Sequence, residues 1–142
     1  MVLIKTPICN FGEKAKNFSL VSVSNEKIEL NKVIGKNGTL IMFICNHCPY
    51  VKAVIRDIVE DVNFLKTIGV NSAAIMSNDT NNYPEDSFEN MKKFSIEHNF
   101  SFPYLLDKDQ QIAKSYNAVC TPDFFGYNKN MELQYRGRIM EL

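Results

Sequence analysis

Apolar residues along this chain recur in two periods, and the two periods predict its elements. Residues 18–21 and 27–30 read as short strands around a turn at Asn25. Gly35, Lys36, Asn37 and Gly38 form a loop by composition. The continuous apolar run at 40–44 reads as a strand buried on both faces of a sheet. A helix follows. Val51, Val54, Ile55, Ile58, Val62 and Leu65 recur at three- and four-residue steps, and Lys52, Arg56, Asp57, Glu60 and Asp61 cover the other side. Gly69 is its stop, and residues 70–76 read as a second buried strand. After a polar loop at 77–83, Pro84 and the capping-box pattern at 86–89 open another helix. It carries Phe88, Met91 and Phe94 inward and runs to about His98. A strand at 102–106, a short helix at 110–116 and strands at 124–127 and 133–139 complete the set. Asn128, Lys129 and Asn130 turn the final hairpin.

The alternation of strands and helices predicts an α/β fold with right-handed strand–helix–strand crossovers. With 142 residues the chain is expected to form a single domain, 1–142, that folds without a disulfide framework or structural metal. Lys and Arg number 16, as do Asp and Glu, so the net charge is zero. That argues against a nucleic-acid-binding role. The longest apolar run, 40–45, is far below the ~20 residues of a membrane span, and residues 1–5 lack the features of a signal peptide. The expectation is a cytoplasmic protein with no membrane partner. In that setting its four cysteines are redox-active, metal-binding or free rather than structural bridges.

Cys45-Asn46-His47-Cys48 falls where the buried strand ends and the helix begins. A Cys-x-x-Cys at such a junction is the thioredoxin-like redox signature. A thiol at a helix N-terminus meets unpaired N–H groups and the positive end of the dipole, which favour the nucleophilic thiolate. Cys45 is therefore expected to be the exposed, acidic, attacking thiol, and Cys48 the more buried resolving one. His47 is expected to stabilise the Cys45 thiolate. Stabilising the reduced form makes a pair more oxidising, by about 30 mV per 1.4 kcal/mol, so a pair more oxidising than one enclosing Gly-Pro is expected. Pro49 suits the first helical turn. The alternatives are half a zinc site completed by Cys9, Cys120 or His98, or two inert buried cysteines. Asn78 and Asp79 follow a parallel strand on the same rim as Cys45, with Asp79 read chiefly as a turn former. Arg136 and Arg138 alternate on the last strand as solvated residues. His98 reads as a surface residue or helix cap, and Cys9 as a free thiol.

The segment from Ile41 to Lys52 resembles the active-site segment of thioredoxin-like proteins in the peroxiredoxin-related AhpC/TSA superfamily. Ser77-Asn78-Asp79, residues 83–87, 102–105 and 119–125, and Tyr135-Arg136-Gly137-Arg138-Ile139 match the same group. The resemblance implies a thioredoxin-like fold: a central mixed sheet, flanking helices and extra N-terminal strands. It implies a cis proline at Pro122 facing the cysteines, with Thr121, Pro122 and Cys120 in the substrate-binding segment. For Cys120, a small buried apolar residue is the plainer role. It implies a thiol–disulfide oxidoreductase with an antioxidant role, acting on protein or small-molecule thiols and disulfides. A separate thiol system supplies electrons, and no organic cofactor is needed. The imidazole before the second cysteine is also similar to DsbA-type oxidants.

The chain departs from the group twice. Gly38 and Met42 stand where a peroxiredoxin has its Pro and Thr, which weighs against the alternative of a thiol peroxidase. A zinc- or copper-binding protein using Cys45, Cys48 and His47 or Cys120 is the second alternative. The sequence also stops before a terminal helix, which should leave an apolar face of the sheet uncovered. Homo-oligomerisation or reduced stability is the expected result.

Overall fold

The computed structural model describes residues 10–118 and 121–138. Cys9, Cys120 and Ile139 lie outside the described residues, so the expectations placed on them have no structural counterpart here. The elements run β1 (Ser19–Ser22), β2 (Lys27–Glu29), β3 (Gly38–Phe43), α1 (Pro49–Thr67), β4 (Val70–Met76), α2 (Phe88–Glu97), β5 (Tyr104–Leu106), α3 (Gln111–Tyr116), β6 (Asp123–Asn128) and β7 (Leu133–Arg138). Short 3-10 turns at Leu30–Lys32 and Pro84–Asp86 lead out of β2 and into α2.

The seven strands among the described residues join one mixed sheet in the order β2-β1-β5-β4-β3-β6-β7. β3, β4 and β5 are parallel, and the remaining pairs are antiparallel. β3 is central and pairs along its whole length with β4 and β6. Its side chains alternate between two cores, as the pleat requires. Met42 and Ile44 join Val51, Ile55, Ile58 and Val62 beneath α1. Ile41 and Phe43 join Tyr116, Phe125 and Leu133 on the other face. This is why the 40–44 run is apolar throughout rather than alternating.

The end of α1 follows from Gly69, whose positive φ of 81° gives the left-handed turn that lets β4 start at once. Asn128 closes the β6–β7 hairpin. Its side-chain oxygen accepts from the N–H groups of Asn130 and Glu132.

Among the described residues, the α1 side of the sheet is only partly covered. An open groove of about 570 Å³ runs between α1 and the strands, lined by Leu40, Val54, Leu65, Phe124 and the exposed Tyr135.

Candidate functional site

The carboxyl ends of β3 and β4 place three loops together. The first is the turn from β3 into α1, which carries the two cysteines. Pro49 is the first residue of α1 and Cys48 its N-cap. Pro49 lacks an N–H, and none is needed there.

Cys45 differs from its expected state. It is only 1% exposed, against 8% for Cys48, so the expected order of burial is reversed. Its thiol is pushed up to about 11, chiefly by burial and secondarily by the negative charge of Asp86, against a lowering hydrogen bond from Thr121. The reason is geometric. Cys45 stands a turn ahead of the first helical residue and packs with Ile44 and Val51 in the core under α1. Burial there outweighs whatever the helix dipole contributes.

The second loop enters β6. The Thr121–Pro122 peptide is cis, as the resemblance implied. Thr121 touches both sulfurs. Its hydroxyl hydrogen-bonds Cys45 Sγ at 3.4 Å, and its carbonyl accepts from Cys48 Sγ at 3.4 Å. Both cysteines are free thiols. Thr121 also lines a cavity of about 310 Å³ with Phe43, Ser77, Asn78, Gln110 and Lys114, beside the cysteine pair.

The third loop brings a residue that the sequence did not single out as functional. Asp86 is fully buried, and four donors converge on it. Its Oδ1 accepts from the backbone N–H of Asn46 at 2.7 Å and of His47 at 3.3 Å. Its Oδ2 lies 2.5 Å from His47 Nδ1 and accepts from Asn78 Nδ2 at 2.8 Å. With three N–H donors from Asn46, His47 and Asn78 already on this carboxylate, the arrangement suits an imidazole that donates through Nδ1. Tyr83 stacks on the imidazole, with ring centroids 5.0 Å apart and planes 10° from parallel. Asn46 completes the brace. Its amide donates to the Glu85 carbonyl and accepts from the Tyr104 hydroxyl at 2.7 Å. Tyr104 keeps its proton because burial, then Cys45, then Asp86 raise its pKa well above the ordinary tyrosine value.

The capping-box pattern at 86–89 accounts for an acidic residue at position 86 and so gives no sign of this role. In the structure Ser87 is the N-cap of α2, accepting from the Asn90 N–H, and Asp86 turns away into the site. Among the other candidates, Asn78 reaches the site through Asp86, whereas Asp79 forms a turn, accepting from Asn81 N and Asn82 Nδ2. His98 caps α2 at its C-terminus. Arg136 is not solvated: it pairs with buried Asp123 at 3.2 Å and lies over the Phe125 ring. The side chain of Arg138 lies outside the described part.

One donor atom from each of Cys45, His47 and Asp86 falls within a mutual 4.8 Å, the spacing of a metal cluster. The detailed geometry suits a hydrogen-bonded triad better. Two ligands of a tetrahedral zinc at about 2.0–2.2 Å stand about 3.3 Å apart, whereas His47 Nδ1 and Asp86 Oδ2 are 2.5 Å apart. Both carboxylate oxygens are also already engaged by donors from the loops they join.

The AhpC/TSA family model matches residues 11–140. The chain is 27% identical over 122 residues to the thiol-disulfide oxidoreductase ResA of Halalkalibacterium halodurans, covering 86% of this chain and 65% of that relative. An uncharacterized conserved protein from Geobacillus kaustophilus superposes with a TM-score of 0.90 at 41% identity, over 98% of this chain and 77% of that one. The thioredoxin domain of a thiol-disulfide oxidoreductase from Bacteroides vulgatus superposes with a TM-score of 0.74 at 16% identity, over 89% and 86% of the two chains. The fold is thioredoxin-like.

Proposed function

The chain belongs to the AhpC/TSA family, and on that premise we propose that it is a thiol–disulfide oxidoreductase working through Cys45 and Cys48. The observation that carries this reading is the convergence of both sulfurs on Thr121, directly before a cis proline. In the reducing direction Cys45 attacks a substrate disulfide, forming a mixed disulfide and releasing one thiol. Cys48 then attacks Cys45 Sγ, closing the internal disulfide and releasing the second thiol. Two electrons pass from the dithiol to the substrate, and a separate thiol system restores the dithiol. The substrate, a protein or small-molecule disulfide, approaches along Thr121 and Pro122, beside the cavity they border. The cytoplasm remains the proposed location.

The raised Cys45 pKa alters the direction expected from sequence. Oxidants of this class draw their potential from a stabilised thiolate. Here burial favours the neutral thiol, which supports a reductant. The peroxidase reading lacks its polar residue: Met42, at the position of the peroxiredoxin threonine, is fully buried in the core under α1.

The test is reduction of insulin disulfides under a dithiol reductant, followed by turbidity. The wild-type protein should accelerate it, Cys45→Ser should abolish the acceleration, and Cys48→Ser should accumulate the mixed disulfide. No acceleration on insulin or on small disulfides counts against the reading.

A further inference from the structure

A nucleophile as deeply placed as Cys45 needs a route for its proton. Only the thiolate attacks, and here burial opposes its formation. The groups around it supply an acceptor. The His47 imidazole is held by its Nδ1–H on Asp86, which leaves the other ring nitrogen to take or give a proton. Asp86 is fixed in turn by two backbone N–H groups and by Asn78. The stacked Tyr83 ring restrains the imidazole plane. The three side chains come within 4.8 Å through one atom each. Nucleophile, base and base-orienting carboxylate are thus neighbours; Cys45 Sγ is hydrogen-bonded to Thr121 in this state, and the Cys45–His47 bond would tighten as substrate binds.

The geometry points to Asp86 as the positioning residue of a proton relay in which His47 takes the proton from Cys45 and returns it to the thiol that leaves. The inference rests on the oxidoreductase reading for its physiological step but concerns the acid–base chemistry of Cys45 itself. As Cys45 Sγ forms its bond to a substrate sulfur, the thiol proton passes to the free nitrogen of His47. The substrate S–S bond breaks, and its electron pair stays on the departing sulfur. That thiolate takes the proton from the imidazolium, which returns to neutral. When Cys48 closes the internal disulfide, the second thiolate receives the Cys48 proton. No further oxidant or reductant enters. Asp86 stabilises the transient imidazolium and fixes which nitrogen faces outward.

Among the described residues, the titratable groups that bear on the imidazole come from several elements. They are Asp86 from the 3-10 turn before α2, Tyr83 from the loop ahead of it, and Cys45 and Cys48 from the imidazole's own loop. Tyr104 of β5 reaches them through Asn46.

The relay and plain electrostatics predict opposite signs for one substitution. The charge of Asp86 raises the Cys45 pKa. If Asp86 acted only through that charge, Asp86→Asn would make Cys45 more acidic and faster to react. If it orients the base, the same change slows Cys45. The experiment is the rate of carbamidomethylation of Cys45 by iodoacetamide in the reduced full chain, from pH 5.5 to 10, with the site assigned by mass spectrometry. This reads Cys45 whether or not the protein exchanges disulfides, so failure of the relay and failure of the oxidoreductase reading are separable.

Wild-type Cys45 should alkylate at pH 7 faster than its burial alone allows. Asp86→Asn should lower the rate at pH 7 by at least about tenfold, with the gap closing toward pH 10. His47→Gln, which keeps the buried carboxylate, should give the same loss. The double variant should be no slower than His47→Gln alone. Faster alkylation in Asp86→Asn overturns the relay. So does a His47→Gln rate equal to wild type. Should Asp86→Asn not fold, the His47→Gln profile decides alone.

Discussion

Two buried carboxylates lie on the segments that follow neighbouring parallel strands, and their partners set them apart. Asp107 follows β5, and Asp86 lies between β4 and α2. They are 1% and 0% exposed. Asp107 accepts from the Ser77 hydroxyl at 2.7 Å and from the N–H groups of Ile112 and Ala113, so it fixes the start of α3. None of those donors titrates. Asp86 likewise holds backbone N–H groups, those of Asn46 and His47, but one of its partners is an imidazole beside a thiol. Burial of a carboxylate therefore does not mark a chemical site. The ability of its partner to change protonation state does.

Substitutions should separate the two. Asp107→Ala leaves a hydroxyl and two helical N–H groups buried without their acceptor. It should cost about 2–4 kcal/mol in urea unfolding, with Cys45 alkylation at neutral pH unchanged within twofold. Equal damage to the thiol would erase the distinction. Asp86→Asn should show the converse emphasis, with a tenfold or larger loss at Cys45, equivalent to about 1.4 kcal/mol. Tyr104→Phe removes the hydroxyl that braces Asn46 and should cost about 1 kcal/mol, measured the same way.

The smallest effect is an alkaline slope. The Cys45 pKa is about 11 in the folded protein against an ordinary value of 9.0. Below pH 9 both states hold the proton and Cys45's stabilising contribution is complete. Above it the unfolded chain ionises first, so that contribution is lost progressively as pH rises from about 9 toward 11. Thermal melts of Cys45→Ala should lack this component. Tyr104 and Tyr116, both raised by burial, would leave a residual slope at higher pH.

The parts of the molecule legible in sequence are those whose signals are local. α1 follows from a long periodic run, β3 from a continuous apolar one, and Gly69 marks the turn into β4. The cysteine pair is one contiguous motif. The missed parts depend on depth or distance. Spacing places Cys45 before a helix but says nothing of how far it sinks into the core. Asp86 meets His47 across 39 positions, while its nearest neighbours offer a capping pattern that accounts for an acidic residue there. Arg136 looks solvated by alternation, yet antiparallel pairing of β6 with β7 brings it to Asp123.

The central claim is that Cys45 and Cys48 form one reversible couple poised as a reductant. The direct measurement is a redox titration in graded dithiol/disulfide buffers, with acid trapping, alkylation and mass spectrometric mapping of each cysteine. The account predicts that Cys45 and Cys48 change together as a two-electron couple, with a midpoint nearer about −270 mV than about −120 mV. If the two thiols titrate independently or never pair, or if the midpoint falls at the oxidising end, the account is contradicted.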